Sequence, residues 1–152
     1  MTAAAPSPDL SSYPFWTDEK MRNADTDRQG HVNNAVFATF FEAGRIEVLT
    51  DPRIRQSPVT TSIVVVRMLI DYRKELFFPG SVRIGSRVTR VGRTSFQFEQ
   101  TLQSTEGEVA HAEATCVLID AVTHQPTPVP DALRQFLLAP PQAAPAALPA
   151  GQ

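Results

Sequence analysis

Apolar side chains recur at helical spacing just after a polar segment in the first third of the chain. The recurring positions are Val36, Phe37, Phe40, Phe41, Val48 and Leu49. Asn33 or Asn34 can cap the start of this helix, because a side-chain oxygen accepts one of the free first-turn N–H groups. Asp51-Pro52 ends it, since proline cannot continue the hydrogen-bond ladder. The pattern predicts one long, apolar helix over residues 35–50.

After this helix the apolar period changes to the alternating or continuous kind that is typical of β-strands. Four long strands are predicted, over residues 60–72, 82–89, 94–104 and 108–120. Turn residues separate them, at Pro79-Gly80, Gly92-Arg93 and Glu106-Gly107. A first strand is expected at residues 15–23 and a short helix at 131–138. Short turns join these four strands, so each is expected to be the antiparallel neighbour of the next. The prediction is an α+β fold in which a curved antiparallel sheet packs around one long helix.

Both ends of the chain are rich in small residues and proline. Residues 1–12 combine Ala, Pro and Ser, and residues 139–152 are almost entirely Ala and Pro. Such segments bury too little apolar area to offset the entropy lost on ordering. We therefore expect two disordered tails around one folded domain of residues 13–138.

Composition narrows the function classes. A formal net charge of −2 gives no strongly basic face, which argues against a nucleic-acid partner. The histidines are scattered and Cys116 is the only cysteine, so neither a metal site nor an internal disulfide is expected. Residues 1–10 do not resemble a signal peptide, and no run approaches the roughly 18 consecutive apolar residues that a membrane span needs. The expectation is a cytoplasmic protein without a membrane span.

The polar segment at residues 25–34 concentrates the candidate chemistry directly before the helix. A helix N-terminus carries free N–H groups and a partial positive charge, so an acid and a histidine beside it favour chemistry at a carbonyl or phosphoryl group. Asp27 is the candidate base or nucleophile, with a turn or cap aspartate as the alternative. His31 can donate to a carbonyl oxygen, or can simply be hydrogen-bonded in a loop. Gly30 is expected to supply a backbone geometry or a close approach that a side chain would block.

The other polar residues near this segment each have a structural explanation as well as a functional one. The backbone N–H of Asn34 is the candidate oxyanion donor, and Asp25 is expected to be a turn or ion-pair residue. Glu42, eight positions beyond Asn34, is expected to lie on the same side of the helix. It is either a second carboxylate facing the ligand or, more simply, an ion-pair partner of Arg45.

Apolar and cationic residues near the segment are candidates for contacting substrate. The helix residues Phe37 and Phe41 either pack in the hydrophobic core or line a pocket for the acyl group. The arginine and lysine side chains are expected by default to form a solvated face. Among them, Arg73, Lys74 and Arg93 are the candidates for contacting phosphates.

The segment Asp27-Arg-Gln-Gly-His-Val-Asn-Asn34 resembles the acyl-CoA thioesterases of the hotdog fold, in the 4-hydroxybenzoyl-CoA thioesterase-like family. Further matching positions are Phe37, Phe41, Glu42 and Arg45. The resemblance extends by element order through residues 13–138. It implies five or six antiparallel strands wrapped around one helix, and a homodimer or dimer of dimers with sites at the interface.

The resemblance also implies roles for individual residues. It makes Asp27 the catalytic carboxylate, as nucleophile or as base for water, and it makes first-turn N–H groups near Asn34 the donors that polarise the thioester carbonyl. His31 and Gly30 complete the catalytic set. The substrate-binding set is Asn33, Phe37, Phe41, Arg73, Lys74 and Arg93. The function expected is hydrolysis of an acyl-CoA thioester to a free acid and CoA, with no cofactor, because CoA is part of the substrate.

Two other functions remain open. A hotdog 2-enoyl-CoA hydratase is the rival enzyme, although its sites resemble Asp-x-Asn-x-x-His, whereas His31 follows Asp27 by four positions rather than five. A non-catalytic acyl-CoA-binding module is the second. The products distinguish these three functions. A thioesterase releases free thiol, a hydratase forms a hydrated thioester, and a binding module binds CoA esters without releasing thiol.

Overall fold

A computed structural model describes residues 8–52 and 60–139 of the chain. The strands and helices are β1 (Phe15–Lys20), α1 (Asn34–Leu49), β2 (Thr61–Tyr72), β3 (Ser81–Val91), β4 (Ser95–Ser104), β5 (Gly107–Asp120) and α2 (Asp131–Leu137). All seven were predicted, and most of the bounds differ by one to three residues. Neither described helix is long and apolar enough to cross a membrane.

Two short 3-10 turns complete the described elements. Leu10–Ser12, inside the predicted N-terminal tail, forms one turn capped by the Asp9 side chain. The second turn, Asn23–Asp25, occupies the end of the predicted first strand and directs the chain from β1 toward the polar segment. The rest of the predicted tails, residues 1–7 and 140–152, lies outside the described residues.

The sheet is antiparallel throughout, with the strand order β1-β3-β4-β5-β2. Hairpins join β3 to β4 and β4 to β5, as the turn residues predict. The expectation that β2 would neighbour β3 is wrong, because β2 pairs with β5 at the far edge. Residues 73–80 connect the end of β2, at this edge of the sheet, to the start of β3. Strands lie about 4.8 Å apart and extended residues advance about 3.3 Å, so eight residues easily cross three strand positions.

Helix α1 packs against the inner face of the sheet, and the predicted α+β architecture is confirmed. Small residues of β5 line this face and are almost fully buried: Ala110, Ala112, Ala114 and Cys116. The closest approach is at Gly44, where a Cβ atom would lie 2.6 Å from Cγ2 of Ile84. The absence of a side chain at Gly44 therefore sets the distance between the helix and the sheet.

A buried polar network also joins α1 to the sheet. Gln100 donates from Nε2 to the carbonyl oxygen of Phe41 and to Oγ of Ser86, each at 2.9 Å. Its Oε1 accepts a 2.9 Å hydrogen bond from Arg45. Burial lowers the pKa of the Arg45 guanidinium. Arg45 therefore points into the core toward Gln100, while its expected partner Glu42 is exposed.

Candidate active site

A pocket of about 410 Å³ opens between the polar segment, the start of α1 and the connection that follows β2. Six of the predicted site residues line it: Asp27, His31, Asn34, Phe37, Arg73 and Lys74. The fold therefore brings together residues that lie more than forty positions apart in the chain. Among the described residues, no three His, Cys, Asp or Glu side chains are grouped so that they could hold a metal ion.

Asp27 is held by the loop that carries it. Its Oδ1 accepts backbone N–H groups from Gln29 at 2.8 Å and from His31 at 3.1 Å. The loop closes tightly because Gly30 adopts a φ of 83°, in the left-handed region that glycine favours. No other atom lies within 4 Å of the Cβ position there, so the glycine serves backbone geometry rather than close approach. Within the described part of the chain nothing donates to Oδ2, which is left for chemistry in the pocket.

The hydrogen bonds at the start of α1 show which of its first backbone donors are occupied. Asn33 is the N-cap, and its Oδ1 accepts the N–H of Ala35 at 3.0 Å. The N–H of Val36 bonds to the Asn33 carbonyl oxygen at 2.9 Å. The N–H of Asn34 has no partner among the described residues, as expected for the first position of a helix. Asn33 thus shapes the site without lining the pocket.

His31 faces an acidic residue that sequence reasoning missed. Its Nε2 lies 3.6 Å from Oε1 of Glu75, and its ring meets the ring of Phe77 edge-on with centroids 4.9 Å apart. The His31 side chain is 30% exposed and that of Glu75 is 69% exposed. Glu75 belongs to the connection after β2, so only the position of that connection brings it to the site. No local signal in the sequence indicates this.

Two cations that line the pocket are tethered to the β4–β5 hairpin. Arg73 donates to Oε2 of Glu108 at 2.6 Å, and Lys74 donates to the carbonyl oxygen of Glu106 at 2.9 Å. Carboxylate pairing reduces the net positive charge that Arg73 offers to an anion. Lys74 keeps its full charge, because its partner is a neutral carbonyl group.

Three candidate residues lie elsewhere. Phe41 is fully buried in the core beneath α1 and is not in the pocket. Arg93 lies in the turn at the opposite end of β4, and ten strand residues span about 33 Å. Glu42 lines a separate groove of about 180 Å³ on the other side of α1. The expectation that Glu42 lies on the pocket side of α1 is wrong, because eight residues at about 100° each place it about 80° around the helix from Asn34.

Asp25 behaves as a turn residue. Its Oδ2 accepts the backbone N–H of Arg22 at 2.7 Å, and its carbonyl oxygen accepts the N–H of Asn33 at 2.8 Å. These bonds hold the polar segment against the helix start.

Comparison with known proteins relates this chain to thioesterases. The family model of the thioesterase-like superfamily matches residues 21–137. A thioesterase from Thermus thermophilus, solved in complex with coenzyme A and zinc, is 28% identical with a TM-score of 0.73; the match covers 83% of this chain and 93% of that one. The PA5185 protein of Pseudomonas aeruginosa is 26% identical with a TM-score of 0.78, covering 90% of this chain and 100% of that one. These structures confirm the hotdog architecture.

A curated relative matches over a shorter stretch. The uncharacterized protein YsmA of Bacillus subtilis is 26% identical over 98 residues, which is 64% of this chain and 67% of YsmA.

Proposed function

The chain belongs to the thioesterase-like superfamily and is a thioester hydrolase, and we propose that it hydrolyses an acyl-CoA ester with Asp27 as the catalytic carboxylate. The observation that carries this proposal is that one pocket is lined by both Asp27 and Asn34, the residue whose backbone N–H has no partner in the described part of the chain. A carboxylate supplies a base or nucleophile, and a fixed N–H supplies a donor for the charge that develops on the carbonyl oxygen.

Two routes are consistent with the geometry. Oδ2 of Asp27 removes a proton from water, whose oxygen attacks the thioester carbon. Alternatively, Oδ2 attacks the carbon itself, expels the thiolate and forms an anhydride that water then hydrolyses. In both routes the C–S bond breaks, the thiolate takes up a proton and the products are a free acid and CoA. The N–H of Asn34 stabilises the oxyanion, an interaction worth about 3–4 kcal/mol in comparable sites.

His31 and the rim cations have supporting roles in this proposal. The imidazole lies beside the carboxylate of Glu75 and can hold a polar group of the substrate or the attacking water. Lys74 and Arg73 are suited to the phosphates of CoA, because both line the pocket and are exposed to solvent. Phe37 gives the acyl group an apolar surface. A CoA ester also agrees with the cytoplasmic location expected from the sequence.

We also propose that the protein works as a homodimer or a dimer of dimers. Strand β2 is an edge strand of twelve residues, and its exposed apolar side chains include Val64, Val65, Val66 and Leu69. Long, apolar edges of this kind invite pairing with another strand. A second copy would pair along β2 and cover this surface. Light scattering tests this, since a stable monomer at micromolar concentration would contradict it.

A thiol-release assay tests the proposed reaction. Purified protein is incubated with short, long, branched and aromatic acyl-CoAs, and free thiol is followed with a colorimetric reagent. The expected result is enzymatic turnover of at least one ester. A hydrated 2-enoyl-CoA without free thiol would support the hydratase instead, and saturable binding of CoA esters without turnover would support a binding module.

A further inference from the structure

Tyr72 reaches the start of α1 from the end of the edge strand β2. Its hydroxyl donates to the carbonyl oxygen of Asn34 at 3.0 Å. Its ring meets that of Phe37 edge-on, with centroids 5.1 Å apart. Both contacts lie at the pocket, and sequence reasoning assigned Tyr72 no role.

The peptide group that Tyr72 contacts is held from both sides. Its carbonyl belongs to Asn34 and accepts the Tyr72 hydroxyl, while its N–H belongs to Ala35 and is bonded to Oδ1 of Asn33. The free N–H of Asn34 lies in the adjoining peptide group. The direction in which that N–H points therefore depends on how firmly Asn33 and Tyr72 hold the first turn.

The hydroxyl contact is not needed to satisfy the helix. A carbonyl in the first turn already accepts the N–H four residues later, and only the last four carbonyls of a helix lack such a partner. Tyr72 is also 50% exposed, so its hydroxyl could bond to water instead. An additional bond to an already bonded carbonyl restrains the turn beyond what helix formation requires.

We propose that Tyr72 is a positioning residue, which holds the first turn of α1 so that the N–H of Asn34 points at the oxyanion. This inference rests on the proposed function, because it assumes the role of Asn34 as donor. Donors in such sites act at about 2.7–3.1 Å from the oxyanion, and a misplacement of about 1 Å can reduce the rate about a hundredfold. Loss of one restraint should have a smaller effect than that.

The test compares two conservative variants in the full chain. Tyr72→Phe keeps the ring against Phe37 and removes only the hydroxyl. Tyr13→Phe is the matched control, because Tyr13 is the other tyrosine of the chain and its buried hydroxyl lies 3.5 Å from Oε1 of Glu99, away from the pocket. Steady-state thiol release gives kcat and KM, and calorimetric titration with CoA gives the fraction of binding-competent protein.

The expected result is a selective loss in kcat. For Tyr72→Phe, kcat falls about tenfold while KM and the CoA-binding stoichiometry stay within about twofold of wild type. Tyr13→Phe keeps the kcat of wild type. Wild-type kcat in Tyr72→Phe would overturn this inference and leave the proposed function intact, whereas a wild-type protein that releases no thiol would overturn both. A lower stoichiometry matching the loss in kcat would show a folding defect and overturn the positioning role.

Amide hydrogen exchange separates positioning from direct action on the substrate. Exchange at Ala35 and Val36 in the free protein should be faster in Tyr72→Phe and unchanged in Tyr13→Phe, because only the first variant frees the turn. A fall in kcat with no change in exchange at these amides would mean that the hydroxyl acts on the substrate itself, and would overturn the inference.

Discussion

Replacing Gly44 with alanine has two opposing effects on stability. It improves helix propensity, and it crowds the closest contact between α1 and the sheet. The new Cβ would lie 2.6 Å from Cγ2 of Ile84, 2.9 Å from Nε2 of Gln100 and 3.0 Å from Oγ of Ser86. All three neighbours are buried, so none can move into solvent. Relief requires α1 to shift or the bonds of Gln100 to break.

The magnitude follows from three contributions. Overpacking in a core costs about 1–3 kcal/mol, and weakening one buried hydrogen bond costs about 1 kcal/mol. Replacing glycine with alanine inside a helix stabilises the helix by about 1 kcal/mol, which offsets part of this cost. The net effect on Gly44→Ala is a loss of about 1–3 kcal/mol of unfolding free energy. For a chain of this length that lowers Tm by roughly 2–12 °C.

Thermal unfolding by circular dichroism measures this, with Ala43→Gly as the matched control. Ala43 is the preceding helix residue, half-buried and facing the second groove, so its replacement reports mainly propensity, a loss of about 1 kcal/mol. If propensity governed both positions, Gly44→Ala would raise Tm as Ala43→Gly lowers it. An unchanged or higher Tm for Gly44→Ala would refute the packing argument.

Three further changes have defined outcomes. Asn33→Ala removes the helix cap and should lower the unfolding free energy by about 1 kcal/mol in chemical denaturation; unchanged stability would exclude the cap. Glu75→Gln removes the carboxylate beside His31 and should lower kcat about two- to fivefold, because exposed pairs are worth under about 1 kcal/mol; an equal kcat would exclude the pairing. Arg83 lowers the pKa of Asp18, so the stability that this carboxylate adds is present above its ordinary value of 3.8 and lost in stronger acid. Melting curves of Asp18→Asn should therefore lie slightly below wild type at neutral pH and converge with it in acid.

Local patterns predicted the elements and several of the residues that line the pocket. Periodicity located α1, and the cap rule selected Asn33 or Asn34, of which the structure shows Asn33 to be the cap. The carboxylate and the free helix donor needed no long-range information, since Asp27 and the helix start belong to one continuous segment. These features depend on neighbours in the chain, which is why the sequence alone contained them.

Features that depend on distant contacts could not be predicted in the same way. The pairing of β2 with β5 follows from where the connection after β2 crosses the sheet, and turn residues alone suggested a different neighbour. The same arrangement brings Tyr72, at the end of β2, and Glu75, in the connection, to the pocket. Arg93 looked equivalent to Lys74 by charge, but the length of β4 separates the two. Charge and residue type carry no information about which end of a strand a turn occupies.

The Asp27→Asn variant tests the central claim most directly. Asparagine keeps an Oδ1 that can accept the N–H groups of Gln29 and His31, so Tm should stay within a few degrees of wild type, but it cannot act as a base or nucleophile. On the best acyl-CoA of the panel we predict a fall in kcat/KM of about 10²–10⁴-fold. A folded Asp27→Asn protein with the kcat/KM of wild type would contradict the account.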